Sequence, residues 1–223
     1  MSGFTPYEVA GEYIDRLIIE ASILSLDGEN GKLADGIATL INPLTMLPLK
    51  GRMRFDYDDL NNPDVTDAFI FDIILHEMGH VIGLDSYTWG NTGLLDFSDP
   101  SDPMLTGPAV MREYAALVGQ ARPLPVPIAN TGGPGTQNEH FRENIFGNEL
   151  MTGSMGGEGN VLSRLTIAAL DDLGYTVDYA AADRYVLPTA NDLMTFRGGV
   201  SHACDHGHEA PKIAPLANPT ANS

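Results

Sequence analysis

Cysteine is almost missing from this chain: Cys204 is the one example in 223 residues. No intramolecular disulfide is therefore available, and the redox compartment stays open. Basic side chains are scarce as well. Lys and Arg number 12 against 30 Asp and Glu, a formal net charge of −18, which lacks the cationic footprint that nucleic-acid phosphates require. The same imbalance disfavours an anionic membrane surface. No run is long and apolar enough to span a bilayer, no secretory signal pattern follows Met1, and no internal repeat is visible. Hydrophobic residues, by contrast, make up 43% of the chain. At this length that supports a proper core, arranged as one domain or as two small lobes sharing a cleft.

The most informative stretch is Asp67 to Leu84, D-A-F-I-F-D-I-I-L-H-E-M-G-H-V-I-G-L. Thr66 can cap a helix here, Asp67 puts negative charge in its first turn, and no proline interrupts the run. Its flanks are apolar nearly all round, through Phe69, Ile70, Phe71, Ile73, Ile74, Leu75, Val81 and Ile82, which describes a buried helix. On such a helix His76 and His80 lie one turn apart on one face, a spacing suited to two ligands of a tetrahedral zinc ion. Glu77 is rotated away from them and could reach a metal-bound water as a base. Buried histidines and a carboxylate require partners or a metal. The competing reading is a chance H-E-x-x-H with two ordinary core histidines.

Along the chain, Pro6 to Asp15 reads as a short helix or its remnant. Arg16 to Leu26 reads as a mostly buried strand, closed by the turn Asp27-Gly28-Glu29-Asn30-Gly31. Ile37 to Ile41 is a shorter strand candidate. Gly51 to Tyr57 alternates, with Met53, Phe55 and Tyr57 on one face and Arg52, Arg54 and Asp56 on the other, as a half-exposed strand does. Gly83 suits a left-handed helix stop after the histidines. Beyond it the composition turns to Gly, Pro, Ser, Thr and Asn, with one helix expected over Pro108 to Val118 under a Thr106 cap. A further helix, capped by Ser163 or Asn160 and stopped by Gly174, has its apolar stripe at Leu165, Ala169, Leu170 and Leu173. From Pro188 onward the sequence reads as flexible tail.

Two histidines do not complete a zinc site. His140, His202, His206 and His208 remain, and Asp85 and Glu139 also offer oxygen. The tail segment His202-Ala-Cys204-Asp-His206-Gly-His208 would place alternate side chains on one side if extended, although adventitious metal binding by a flexible tail is the plainer reading. Asp96, Asp99 and Asp102 form the best acidic cluster for a hard cation such as Ca2+, against a solvated loop as the plainer account.

Several motifs in order, H-E-M-G-H-V-I-G-L, a long insertion, N-E-H-F, N-E-L-M-T-G and L-S-R-L-T-I-A-A-L-D-D-L-G-Y, resemble the leishmanolysin-type zinc metallopeptidases of the metzincin clan, particularly their bacterial relatives. The resemblance runs from about Arg16 to about Tyr179. It implies an α+β, metzincin-like fold: an N-terminal catalytic lobe over residues 1–84, with a mixed β-sheet and a buried active-site helix, then an irregular lobe with a helix over 85–187, then a tail over 188–223. The usual metzincin position for the third histidine is Ser86 here, which is no ligand. The resemblance instead implies His140 as third zinc ligand, from beyond the insertion, and Met151 as the Met-turn methionine forming an apolar floor under the metal; a plain core methionine is the alternative.

Such enzymes place a strand, a long backing helix and a further strand upstream of the matching region. The expectation is that this part of the sheet and the backing helix are missing from this chain, together with the signal and propeptide. By the same resemblance the expected activity is zinc-dependent endoproteolysis of peptide or protein substrates lying antiparallel to an edge strand at Ile37 to Ile41, with Glu77 as general base, at an extracellular or cell-surface location. The alternative is a zinc-stabilised binding or surface module without activity. Oligomeric state is not legible.

Overall fold

The computed structural model describes residues 6–9, 11–29, 31–155, 159–193, 202–203 and 210–215, the pair 202–203 by backbone alone. In place of the helix expected near the start, β1 (Tyr7–Val9) and β2 (Glu12–Ile14) form an antiparallel hairpin. Gly11, at φ 85°, takes the left-handed turn position open to glycine. Next come β3 (Ile18–Leu24), β4 (Ala34–Ile41) and β5 (Pro48–Asp56). With β11 (Lys212–Ile213) they form a mixed sheet in the order β11-β4-β5-β3. β3 runs parallel to β5, β4 antiparallel to it, and β11 parallel to β4 at Leu40 and Ile41.

Two expectations about these strands need correction. β3 is largely exposed rather than buried, with Ile23 at 64%, because among the described residues it is an edge strand, paired with β5 alone. In β5 the alternation holds until its end, where Asp56 turns inward and is fully buried. Asp56 caps the short helix α1 (Tyr57–Leu60) and also accepts N–H bonds from Leu26 and Asp27. Burial works to raise its pKa, but the four backbone donors at Leu26, Asp27, Asp58 and Asp59 prevail and hold it below the usual carboxylate range.

Helix α2 (Asp67–Val81) starts on a Thr66 cap whose side chain accepts the Phe69 N–H. Its fully buried residues begin at Ile73; Phe71 is 59% exposed. The reason lies in the sheet above it. Gly36 on β4 and Gly51 on β5 leave room for α2 to approach at Glu77 and Val81, where any Cβ would collide. Among the described residues, the turns before Ile73 have no such close glycine approach from the sheet.

The remaining elements are α3 (Ser86–Asn91), β6 (Leu95–Asp96), β7 (Met104–Leu105), α4 (Pro108–Leu117), β8 (Val126–Pro127), α5 (Glu143–Phe146), β9 (Ser154–Met155), α6 (Arg164–Asp172), a 3-10 turn at Tyr179–Ala181 and β10 (His202–Ala203). Thr106 does not cap α4; its hydroxyl donates to the Leu94 carbonyl instead. The donors at the start of α4 are met from across the fold, where the Asp172 carboxylate accepts from Ala109 and Val110. Ser163 caps α6, and Gly174 follows it at φ 93°. Within the stretch read as tail, β11 is an ordered strand, and the next residue, Ala214, is 2% exposed and donates its N–H to Ile41.

One hydrophobic cluster lies between the sheet and α2, around Leu33, Met53, Phe55, Ile73 and Val81. A larger one gathers the second half of the chain around Leu84, Trp89, Phe141, Phe146, Met151 and Leu165. The end of α2 and the turn after it join the two.

Candidate metal centre

His76 and His80 project from the same side of the buried half of α2, and His140 meets them from a loop 60 residues downstream of His80. Their Nε2 atoms converge: 3.0 Å between His76 and His80, and 3.2 Å from His140 to each of the others. All three rings are buried. Each Nδ1 lies against a backbone carbonyl: His76 on Leu150 at 2.6 Å, His80 on Leu84 at 2.7 Å, His140 on Thr136 at 3.1 Å. A carbonyl can only accept, so the ring proton sits on Nδ1 and each Nε2 presents a lone pair.

Three lone pairs aimed at one another need a cation between them. Nitrogen ligands at about 2.0–2.1 Å from a tetrahedral zinc are spaced by about 3.3 Å, close to what is found here. Burial draws the pKa of His76 down to about 4 against the pull of the Leu150 carbonyl. Burial, then the nearby His76, draws His140 down to about 3. Both rings are thus neutral around pH 7, the form that binds metal. The donor set fits zinc, and among the described residues these histidines form the one group with ligand spacing.

Glu77 is fully buried beside the cluster, under β4. A Cβ at Gly36 would contact the Glu77 carbonyl oxygen and lie 2.9 Å from its Oε2. Met151 is also buried, with its sulfur against Gly79, the residue before His80; a Cβ there would be 2.6 Å from Sδ. Gly83, at φ 104°, folds the chain back after α2, so that the Leu84 N–H donates to Gly79 and the Leu84 carbonyl meets His80.

The oxygen alternatives are occupied elsewhere. Asp85 caps α3 through the Thr88 N–H and hydroxyl, and Glu139 accepts two bonds from Ser86. Asp96 and Asp99 accept bonds from Ser98 and Ser101 in their own loop, and Asp102 pairs with Arg142. The acidic cluster therefore does not converge on a cation position. The side chains of His202, Cys204, His206 and His208 lie outside the described residues. The carbonyls of Leu84, Thr136 and Leu150 left no trace in residue identity, since any residue carries one. Ser86 and Glu149 are polar residues whose partners only the folded chain reveals.

A family model described as leishmanolysin matches residues 34–196, from the first residue of β4 past α6. No curated protein matches the chain.

Proposed function

The chain belongs to the leishmanolysin family of metallopeptidases, and on that premise we propose that it is a zinc-dependent endopeptidase whose metal is held by His76, His80 and His140, with Glu77 as general base. The observation that carries this reading is the convergence of the three Nε2 atoms at 3.0–3.2 Å beside a buried glutamate from the same helix.

Zinc, when bound, supplies Lewis acidity toward a peptide carbonyl and lowers the pKa of a water. The protein's residues do the rest. His76, His80 and His140 supply three neutral donors and leave a fourth position open, as catalytic zinc sites do. Glu77 takes a proton from the water attacking the carbonyl carbon and delivers it to the amine nitrogen as the C–N bond breaks. Met151 provides an apolar floor and takes no part in the proton movements. The expected edge at Ile37 to Ile41 is not open along its length, because β11 pairs with Leu40 and Ile41. A peptide paired antiparallel to β4 would have to lie along residues 34–39, where Gly36 brings the β4 backbone onto Glu77, and would carry its carbonyls past the base, with affinity from main-chain bonds that tolerate many side chains.

The deciding experiment compares zinc content of the wild type and His140→Ala, each assayed on a quenched protein substrate. One zinc with turnover, both lost in the variant, supports the reading. A His140→Ala protein that keeps its zinc removes His140 from the site, and a wild type with zinc but no turnover makes the chain a zinc-stabilised module.

A further inference from the structure

The proposed mechanism gives no task to Glu149, a deeply buried carboxylate close in sequence to Met151. Glu149 is fully shielded from solvent and satisfied from two directions. Its Oε1 accepts from the Ser163 and Thr166 hydroxyls, each at 2.6 Å, and its Oε2 accepts the Met151 N–H at 2.6 Å. Ser163 is the cap of α6 and Thr166 lies in its first turn. Through Glu149, then, helix α6 grips the loop at residues 149–151, which precedes it in sequence.

Each part of that loop reaches a different part of the histidine cluster. The Leu150 carbonyl lies 2.6 Å from Nδ1 of His76. The Met151 carbonyl accepts the N–H of Phe141, neighbour of His140, at 2.8 Å. The Met151 sulfur packs on Gly79, between His76 and His80. Stability by itself is a weak reason to bury a carboxylate here, since apolar groups of similar volume often serve as well or better. What a carboxylate with three donors adds is direction: it fixes which way residues 149–151 face.

We propose that Glu149 is a positioning residue of the metal centre, holding the Leu150 carbonyl on His76 and the Met151 backbone on the His140 segment. The proposal rests on the zinc reading. Glu149 stands outside the ligand cluster and acts through the loop, as outer partners of metal ligands do.

The test measures zinc affinity by chelator competition in Glu149→Ala, Glu149→Gln and Thr166→Val, with the unfolding midpoint of each. In zinc-free protein, NMR follows the exchange protection of the His76 Nδ1–H. Glu149→Ala is expected to weaken zinc roughly 10–100-fold and to lose that protection. Glu149→Gln should fall between it and wild type, because an amide oxygen still accepts from α6 while the amide nitrogen cannot accept from Met151. Thr166→Val, which removes one donor, should lose several-fold and serves as the reading if Glu149→Ala does not fold. Zinc affinity within about twofold of wild type, with only a lowered unfolding midpoint, would show Glu149 to be plain core support and overturn the proposal. A wild type that binds no zinc defeats the zinc reading instead. The fate of the His76 Nδ1–H signal in the zinc-free variants then decides the role of Glu149 alone.

Discussion

Ser86 donates to Glu139 twice, from its backbone N–H at 2.8 Å and from its hydroxyl at 2.5 Å. Ser86 occupies the place where the metzincin pattern puts a histidine, and Glu139 is the neighbour of His140. Ser86, engaged with Glu139, thus secures the loop that brings in His140. Glu139→Ala should weaken zinc by roughly tenfold, as loss of an outer partner does. Ser86→Ala, which keeps the backbone donor, should cost less. Chelator competition on both variants checks the order.

Glu77→Ala should keep its zinc, because the three imidazoles are untouched, and lose peptide hydrolysis by roughly 100-fold or more, the contribution of a positioned base. Metal content and turnover measured on one preparation separate the two effects. Undiminished turnover with zinc bound would remove Glu77 from the mechanism.

Gly36→Ala tests the contact between β4 and the base. The new methyl would meet the Glu77 carbonyl oxygen, a backbone atom with no flexible end to swing aside. Overpacking of this kind destabilises by roughly 1–3 kcal/mol, and the strain falls on Glu77 itself. Turnover per bound zinc should drop, while denaturant unfolding reports the stability loss.

Asp85 makes stability depend on pH. Burial pushes its carboxyl up to about 7, the Thr88 N–H pulling the other way and the Glu139 charge adding to the rise. The folded chain therefore keeps a proton there that the unfolded chain gives up near its ordinary value of 3.8. The folded state binds more protons across that window, so this contribution is complete below about pH 4 and is lost as pH rises through about 7. Discounted for partial exposure, the change is roughly 1–2 kcal/mol. Asp85→Asn keeps a helix-capping oxygen and should flatten this part of the curve, as urea melts between pH 4 and 8 would show.

Local chemistry made much of this protein readable in one dimension. The helix 67–81 and its Thr66 cap follow from residue type and spacing, as do the stop at Gly83, the start of α6 at Ser163 and the shared face of His76 and His80. The second half of the centre was reached through motif order, which pointed to His140 and Met151; their approach to α2 emerges only when distant segments pack. Features that depend on distant neighbours are not legible in the sequence. The hairpin β1–β2 gains its order by packing Tyr7 and Ile14 against Leu49 and Ala214, and β3 is exposed because no described residue pairs beyond it in the sheet. α4 takes its cap from Asp172, 62 residues on from Val110. Sequence alone determined which side chains offer chemistry, because spacing along one helix is local geometry. Tertiary structure decided which of them meet and what holds them, because carbonyls such as Leu150 and buried anchors such as Glu149 acquire meaning only from partners far away in the chain.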